Sequence, residues 1–171
     1  VIGSGATAVT LIPEIAKKAS HVTMIQRSPT YIASAPSKYK ILHLLNYISP
    51  KLGYKIIRFT NILRQRRIYR RAMRSPELVK NYLLDLVRDE LPGFDIEKHF
   101  TPTYNPWEQR LCLAPDSDFF ESINQKRVSV ETETIDSFSE KGVQLDSGKL
   151  IEAELIITAT GIKLQNFGGI T

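Results

Sequence analysis

The chain opens with three small residues whose spacing could bind a phosphate group. Gly3, Gly5 and Ala8 form a Gly-x-Gly-x-x-Ala sequence behind two apolar residues, and a helical pattern follows. The first glycine allows a tight turn, the second lets a pyrophosphate approach the backbone, and the small third residue lets the helix pack closely on a sheet. Free N–H groups at the start of the helix, together with its dipole, then hold the phosphates. The spacing also arises by chance, so it gains weight only between a strand and a helix.

The elements that must position this turn are predicted on its carboxyl side. Residues 7–19 have a helical pattern with the apolar residues on one stripe, although Pro13 lies inside it. Val22–Gln26 follows as a predicted strand. The turn therefore lies in the strand–turn–helix–strand setting that a dinucleotide-binding fold requires.

A cation follows the second predicted strand, at the position that selects between nicotinamide cofactors. Arg27 lies about 20 residues after the glycines, where an acidic residue would bind the ribose 2′-hydroxyl of NAD. An arginine followed by Ser28 and Thr30 suits the 2′-phosphate of NADP instead. Arg27 could also be a solvated charge at the end of a strand, but within this fold we expect an NADP site.

Length and composition limit the class of protein. With 171 residues and 42% hydrophobic residues, the chain can form a domain with a sizeable core. We expect neither a membrane span nor a signal peptide. Cys112 is the only cysteine, which excludes an internal disulfide and predicts a reducing compartment, the cytoplasm. A start just before the glycine turn, without a methionine, predicts an internal piece of a longer protein.

Charge is distributed unevenly along the chain. The net charge is +5, but residues 1–76 contain 14 Lys and Arg against one acidic residue, Glu14. The remaining 95 residues contain 9 cations and 17 acidic residues. A strongly basic first part predicts an anionic partner there, and NADP, a membrane surface and an acidic domain are all candidates.

A long helical pattern between Lys38 and about Phe100 interrupts the nucleotide-binding alternation, and we interpret it as an insertion. The predicted helices cover residues 41–48, 52–74 and 76–91. The second has apolar residues on one face and lysines and arginines on the other. We favour a helix whose basic side faces solvent or another domain. Peripheral contact with an anionic membrane through residues 52–74 is the alternative. Nucleic acid is not expected, because the groove-reading constellation is absent.

The rest of the chain is predicted as loops, one helix and several strands. Residues 31–36 and the Pro- and aromatic-rich residues 99–110 are expected to be loops, and the second of these has the composition of a site-lining segment. Asp116 is expected to cap a helix over residues 117–124. The predicted strands are Val128–Thr132 of the nucleotide sheet, a meander over residues 135–152, and a buried strand from Glu154 that ends in the small-residue turn Ala159-Thr160-Gly161.

Four segments together resemble one known family. They are Gly3-Ser4-Gly5-Ala6-Thr7-Ala8, Gln26-Arg27-Ser28-Pro29-Thr30, Pro106-Trp107-Glu108-Gln109-Arg110-Leu111-Cys112 and Ala159-Thr160-Gly161. On these residues the chain resembles the class B flavoprotein monooxygenases, which include flavin-containing and Baeyer–Villiger monooxygenases. Each motif alone is common, but the set is specific and covers nearly the whole chain.

The resemblance implies an α/β, Rossmann-like dinucleotide-binding domain with a helical insertion and a small β-meander. Residues 1–37 and 101–171 would form the two parts of an NADPH domain, with residues 38–100 as the insertion. FAD would be held mostly by a domain outside this chain. In such enzymes NADPH reduces the flavin, the reduced flavin captures O₂ as a peroxide, and one oxygen atom enters a carbonyl, amine or sulfide substrate.

The resemblance also implies roles for single residues. Arg110 falls where Baeyer–Villiger members carry an arginine that stabilises the anionic peroxyflavin, and a guanidinium suits this because it stays charged and donates hydrogen bonds to an oxyanion. Gln109 stands where those members often have a lysine that contacts the 2′-phosphate, and Glu154 where they have Asp. The residues predicted to bind cofactors are Gly3, Ser4, Gly5, Ala6, Thr7, Ala8, Arg27, Ser28, Thr30, Gln109, Ala159, Thr160 and Gly161.

The leading hypothesis is the NADPH-binding part of an FAD-dependent monooxygenase, incomplete as a catalyst by itself. Two alternatives stay open on the sequence: a non-oxygenating flavin reductase of the same architecture, and a non-enzymatic NADP-binding or membrane-associated module. Substrate contacts in such folds come from loops and from another domain, so the substrate class is left at carbonyl compounds, amines and sulfides.

Overall fold

The structure, a computed structural model, describes residues 1–38 and 49–162 and has a mixed α/β architecture. The helices are α1 (Ala6–Ala16), α2 (Pro50–Arg74), α3 (Pro76–Glu90), α4 (Ile96–Phe100) and α5 (Asp118–Asn124). The strands are β1 (Val22–Gln26), β2 (Tyr31–Ala35), β3 (Leu111–Pro115), β4 (Val128–Thr132), β5 (Ile135–Ser139), β6 (Gly142–Leu145) and β7 (Leu150–Glu152). The helix predicted over residues 41–48 lies outside the described residues. Among the described helices, none has the length and apolar character needed to cross a membrane.

The glycine turn lies in a parallel arrangement of four segments. β1 pairs in parallel with β4 along its whole length, which confirms both predicted strands. Ile2 forms parallel bridges to Ile25 of β1 on one side and to Thr158 on the other. The spatial order is therefore Thr158, Ile2, β1 and β4. Because these segments run in the same direction, the residues that follow each of them lie at one common edge.

Helix α1 joins the turn to β1 and covers the sheet. It ends at Ala16, earlier than the predicted end at residue 19, and Pro13 lies inside it without ending it. Ala8, Ile12 and Ala16 are buried because residues four apart lie on one face of a helix. The core continues between α1, the strands and α5, where Phe100, Phe119 and Phe120 contact one another with ring centroids 5.6, 6.1 and 6.4 Å apart.

Residues 31–35 form a strand where we predicted an irregular connection. β2 pairs in parallel with β3, and Tyr31 lies opposite Leu111. The prediction was wrong because the three residues Tyr31, Ile32 and Ala33 are buried in succession. They therefore lack the alternation of a half-exposed strand, and their pairing partner is remote in the sequence.

The described part of the predicted insertion is helical, as expected. At the start of α2, the Ser49 hydroxyl accepts a hydrogen bond from the backbone N–H of Leu52. Pro76 lies in the first turn of α3, as predicted, although the Ser75 side chain does not cap that helix. α3 packs against α2 and β2, which attaches the insertion to the rest of the fold.

The charges of α2 do not lie on a separate face, contrary to the prediction. Leu52, Ile56 and Phe59 form an exposed apolar stripe along the first half of the helix. Arg66 and Arg70 continue that stripe in the second half, because residues seven apart lie on the same side of a helix. Basic residues thus interrupt the apolar stripe in the second half of this helix, whereas a helix on a membrane surface has a continuous apolar face.

The second part of the chain confirms the β-meander and corrects two details. β5, β6 and β7 form an antiparallel sheet, as predicted. Asp116 does not cap α5, because its carboxylate accepts hydrogen bonds from the backbone N–H and hydroxyl of Ser37. Residues 154–161 were predicted as a buried strand ending in a turn, but they are largely exposed, with Leu155 73% exposed, and they pair through the bridge at Thr158.

Candidate functional site

The glycine turn that begins at Gly3 is in direct contact with the small-residue turn Ala159-Thr160-Gly161, which we call the closing turn. Gly3 has φ +124°, and a Cβ at this residue would lie 2.4 Å from the carbonyl oxygen of Ala159. The backbone N–H of Ala159 donates to Ile2 O at 2.7 Å, and the N–H of Gly3 donates to Ile25 O at 2.8 Å. The first glycine is therefore required both by its backbone conformation and by the close approach of the closing turn.

The second glycine faces a guanidinium group. The Nη1 atom of Arg110 is 3.9 Å from the position that a Cβ would take at Gly5. Helix α1 begins at the next residue, and its described first turn contains no acidic side chain. Ala6 and Thr7 are exposed there, whereas Ala8 is fully buried. The helix start and Arg110 thus present positive potential to the same space.

A cavity of about 350 Å³ at this edge of the sheet brings half of the predicted site residues together. Residues from four separate predicted segments line it: Gly3, Ser4, Arg27, Ser28, Arg110, Ala159 and Thr160. Arg27, Ser28 and Arg110 are exposed, so their polar groups can reach a ligand. Two cations that are far apart in the sequence therefore lie at one cavity, which favours an anionic ligand.

Two buried hydroxyl groups connect the glycine turn to the segment that carries Arg27. Ser4 Oγ is 3.0 Å from Thr30 Oγ1, and it donates to the carbonyl oxygen of Ser28 at 3.4 Å. Ser4 is 5% exposed and Thr30 is 1% exposed. Thr30, which we predicted to bind the cofactor, is therefore connected to the cavity by its hydrogen bond with Ser4. We call this group the hydroxyl bridge: Ser4, Thr30 and the Ser28 carbonyl.

Tyrosines brace the loop that carries Arg110. The Tyr31 hydroxyl donates to Tyr104 O at 2.7 Å, and the Tyr104 hydroxyl donates to Arg110 O at 2.9 Å. Within the loop, hydrogen bonds from the backbone and side-chain amide of Asn105 hold the pKa of Glu108 below its usual value. The backbone at the end of this loop is therefore fixed relative to β2.

Trp107 lies at the tip of the same loop and links it to the insertion. It has φ +72°, a left-handed conformation that is unusual for a bulky residue. Its ring meets the ring of Tyr69 from α2 edge-on, with centroids 6.3 Å apart. The loop thus contacts both the core of the fold and the helical insertion.

Two polar residues that line the cavity were not predicted from the sequence. Glu133 and Thr134 directly follow β4, and the N–H of Glu133 donates to Gln26 O at 2.9 Å. Hydrogen bonds from the hydroxyl and backbone N–H of Ser147 lower the pKa of Glu133, so this carboxylate is ionised at neutral pH. A signal was available, because the loop after a third parallel strand ends at the same edge as the glycine turn.

The other seven predicted residues do not line the cavity: Gly5, Ala6, Thr7, Ala8, Thr30, Gln109 and Gly161. Gln109 is exposed on the loop before Arg110, and Gly161, the last residue of the closing turn, is exposed with φ +109°. Cys112 is buried on β3, with its Sγ 3.8 Å from Ser4 O.

A larger groove of about 840 Å³ lies at the opposite, amino end of the sheet, beside Val22 and Leu155. Ligands of parallel α/β sheets bind at the carboxyl ends of strands, so we place the site at the smaller cavity.

The mixed α/β fold matches part of the solved structures of Baeyer–Villiger monooxygenases. A steroid monooxygenase solved with NADP superposes with a TM-score of 0.70 and 15% identity, over 94% of this chain and 38% of that one. The enzyme OTEMO, solved with FAD and NADP, gives a TM-score of 0.67 and 15% identity over 96% of this chain and 38% of that one. No family model matches the chain.

Relatives with much higher identity are flavoproteins. The FAD-containing monooxygenase EthA of Mycobacterium tuberculosis is 49% identical over 174 residues, which cover 100% of this chain and 36% of EthA. The probable FAD-binding monooxygenase AlmA of Acinetobacter baylyi is 48% identical over 172 residues, 99% of this chain and 34% of AlmA. The predicted resemblance is confirmed: the chain is homologous along its whole length to FAD-containing monooxygenases. It spans about a third of the length of these relatives.

Proposed function

We propose that this chain is the NADPH-binding part of an FAD-dependent monooxygenase, with a Rossmann-like core in residues 1–37 and 101–171 and a helical insertion in residues 38–100. The cavity at the glycine turn is the observation that carries this proposal, because it gathers Arg27, Ser28 and Arg110 at the carboxyl edge of parallel segments. The activity belongs to the whole protein, which would insert one oxygen atom of O₂ into a carbonyl, amine or sulfide substrate.

The residues present fit an NADP phosphate. Gly5 leaves open the space in front of Arg110 that a side chain would fill, so a pyrophosphate can lie against the backbone of residues 3–7. Arg27 and Ser28 are exposed at the same cavity and can donate hydrogen bonds to a 2′-phosphate. Glu133 is the one acidic group among the residues that line this cavity, and Ser147 holds its carboxylate.

FAD would be held mainly by the remainder of the protein and would supply the redox and oxygen chemistry when bound. In this chain Arg110 would provide a permanent positive charge beside the nicotinamide nucleotide, where an anion develops during the reaction. The contact between Ala159 and Gly3 would join the nucleotide turn to the chain that leads towards the FAD-binding part.

The test of this proposal uses the full-length protein and the substitution Arg27→Asp. Removing the cation and adding a carboxylate should weaken NADPH binding by about 100-fold or more, because one charge-assisted contact is lost and a like charge faces the phosphate. NADH binding should change much less. The rate of flavin bleaching without oxygen, measured over a range of concentrations of each nucleotide, gives both affinities.

Arg127→Asp is the matched control, because this exposed arginine lies at the opposite end of the β1–β4 pair. It makes the same change in charge and should leave both affinities near the wild-type values. Equal losses for NADPH and NADH in the Arg27 variant would contradict the 2′-phosphate role. A protein that consumes NADPH but forms no oxygenated product with any carbonyl, amine or sulfide would be a reductase instead.

A further inference from the structure

We propose that the hydroxyl bridge determines the preference for NADPH over NADH by fixing the Arg27–Ser28 segment relative to the glycine turn. The inference rests on the proposed function and adds to it two positioning residues, Ser4 and Thr30. Both hydroxyl groups are buried in the bridge. Each acts through the segment that carries Arg27.

The geometry of the bridge is specific. Ser4 Oγ and Thr30 Oγ1 are 3.0 Å apart, and either hydroxyl can donate in this pair, while the Ser4 hydroxyl can also donate to Ser28 O at 3.4 Å. Among the described residues, no buried side-chain nitrogen or oxygen is without a hydrogen-bond partner. Removing either hydroxyl therefore leaves the other buried with an incomplete set of partners, which is costly.

The hydroxyl bridge connects the glycine turn with the segment that carries Arg27. Ser4 lies between the two glycines of the turn, and its backbone is fixed by the bond from Gly3 N to Ile25 O. Thr30 immediately precedes β2, and the pairing of β2 with β3 fixes its position. The exposed Arg27–Ser28 segment lies between the end of β1 and Thr30. The hydrogen bond from Ser4 to Ser28 O therefore connects the exposed Arg27–Ser28 segment to the glycine turn.

A long cationic side chain recognises a phosphate only when its backbone is held in place. If the Arg27–Ser28 segment moves by about 1 Å, the contact with a 2′-phosphate weakens, whereas contacts of the pyrophosphate with the glycine turn persist. Loss of the bridge should therefore affect NADPH, which carries the 2′-phosphate, and spare NADH, which lacks it. A role limited to folding stability would weaken both nucleotides equally.

The experiment compares Ser4→Ala, Thr30→Val and the double variant in the full-length flavoprotein. Dissociation constants for NADPH and NADH, and the midpoint of thermal unfolding, are measured for each. We expect each single substitution to raise the NADPH constant by roughly tenfold, the factor that corresponds to about 1.4 kcal/mol, with a change below about threefold for NADH. The double variant should resemble the singles, because both remove the same connection.

Two controls make the result decisive. Thr30→Ser keeps the hydroxyl and should retain the wild-type preference. Thr10→Val removes a hydroxyl that bonds only to carbonyl groups of α1, Ala6 O and Thr7 O, and should leave both constants unchanged. An unaltered NADPH-to-NADH ratio in Ser4→Ala and Thr30→Val would overturn the inference. If Arg27→Asp also leaves that ratio unchanged, the 2′-phosphate site itself is refuted; if only Arg27→Asp changes it, the bridge alone is refuted.

Discussion

The guanidinium group of Arg110 lies beside Gly5, with its Nη1 atom 3.9 Å from the point that a Cβ would occupy. These residues are more than a hundred positions apart in the sequence, and Tyr104 fixes the arginine backbone through a bond to Arg110 O at 2.9 Å. A permanent cation thus faces the part of the turn at which a phosphate can approach the backbone.

Arg110→Ala is expected to separate nucleotide oxidation from oxygenation. In the whole protein, flavin reduction by NADPH should keep most of its rate, while product formation should fall by about 100-fold or more, because a charge aimed at a developing anion is lost. The measurement is the amount of oxygenated product formed per NADPH consumed. Arg127→Ala serves as the control at the other end of the sheet. If reduction falls as far as oxygenation, Arg110 acts on nucleotide binding instead.

Gly3→Ala is expected to destabilise the fold strongly. Its Cβ would lie 2.4 Å from the Ala159 carbonyl oxygen, and the residue would have to keep φ +124°. The clash and the strained backbone together should lower the free energy of unfolding by roughly 3 kcal/mol or more.

Gly148→Ala is the matched control for this prediction. Gly148 has φ +84°, but nothing lies within 4 Å of its virtual Cβ, so only the backbone strain of about 1–2 kcal/mol should appear. Denaturant unfolding of both variants measures the difference. Equal effects of the two substitutions would mean that the closing turn does not press on Gly3.

Tyr31 should make the fold sensitive to alkaline pH. Burial, together with Tyr104, Glu77 and Glu108, raises the pKa of the Tyr31 hydroxyl to about 12. The unfolded chain loses this proton near pH 10, so the stabilisation from this group is complete below about pH 10 and is lost as the pH rises towards 12.

Tyr31→Phe should therefore flatten the fall in stability between about pH 10 and 12. At neutral pH it should cost about 1 kcal/mol, for the lost hydrogen bond to Tyr104 O. Unfolding by denaturant at a series of pH values gives both quantities, with the exposed Tyr82→Phe as the control. An unchanged alkaline slope in the Tyr31 variant would contradict the prediction.

Cys112 should be chemically inert in the folded protein. Burial raises the pKa of its thiol, although the charge of Arg110 opposes this shift, and its Sγ lies against Ser4 O. Since the thiolate is the reactive form, alkylation at neutral pH should be at least about 100-fold slower than in denaturant. Mass spectrometry of the peptide that contains Cys112 follows the reaction. Comparable rates in the two states would show that β3 opens readily.

The local features of the site could be predicted from the amino-acid sequence. Small residues at positions 3, 5 and 8, the cation after the second strand and the arginine of the Pro- and aromatic-rich loop were all visible as types at a spacing. Each depends on its immediate neighbours, because a tight turn and a helix start are properties of a few consecutive residues. The helices and strands with a regular pattern, including α3, β1 and β4, were predictable for the same reason.

Which of these features come into contact depends on how the chain folds. The pairing of β2 with β3, the contact of Gly3 with Ala159, the position of Glu133 in the cavity and the bond between Ser4 and Thr30 all join residues that are remote in the sequence. Such contacts leave no periodic signal, because burial and hydrogen-bond partners are set by whichever segments pack together. For the same reason the exposure of residues 154–161 could be read only from the folded chain.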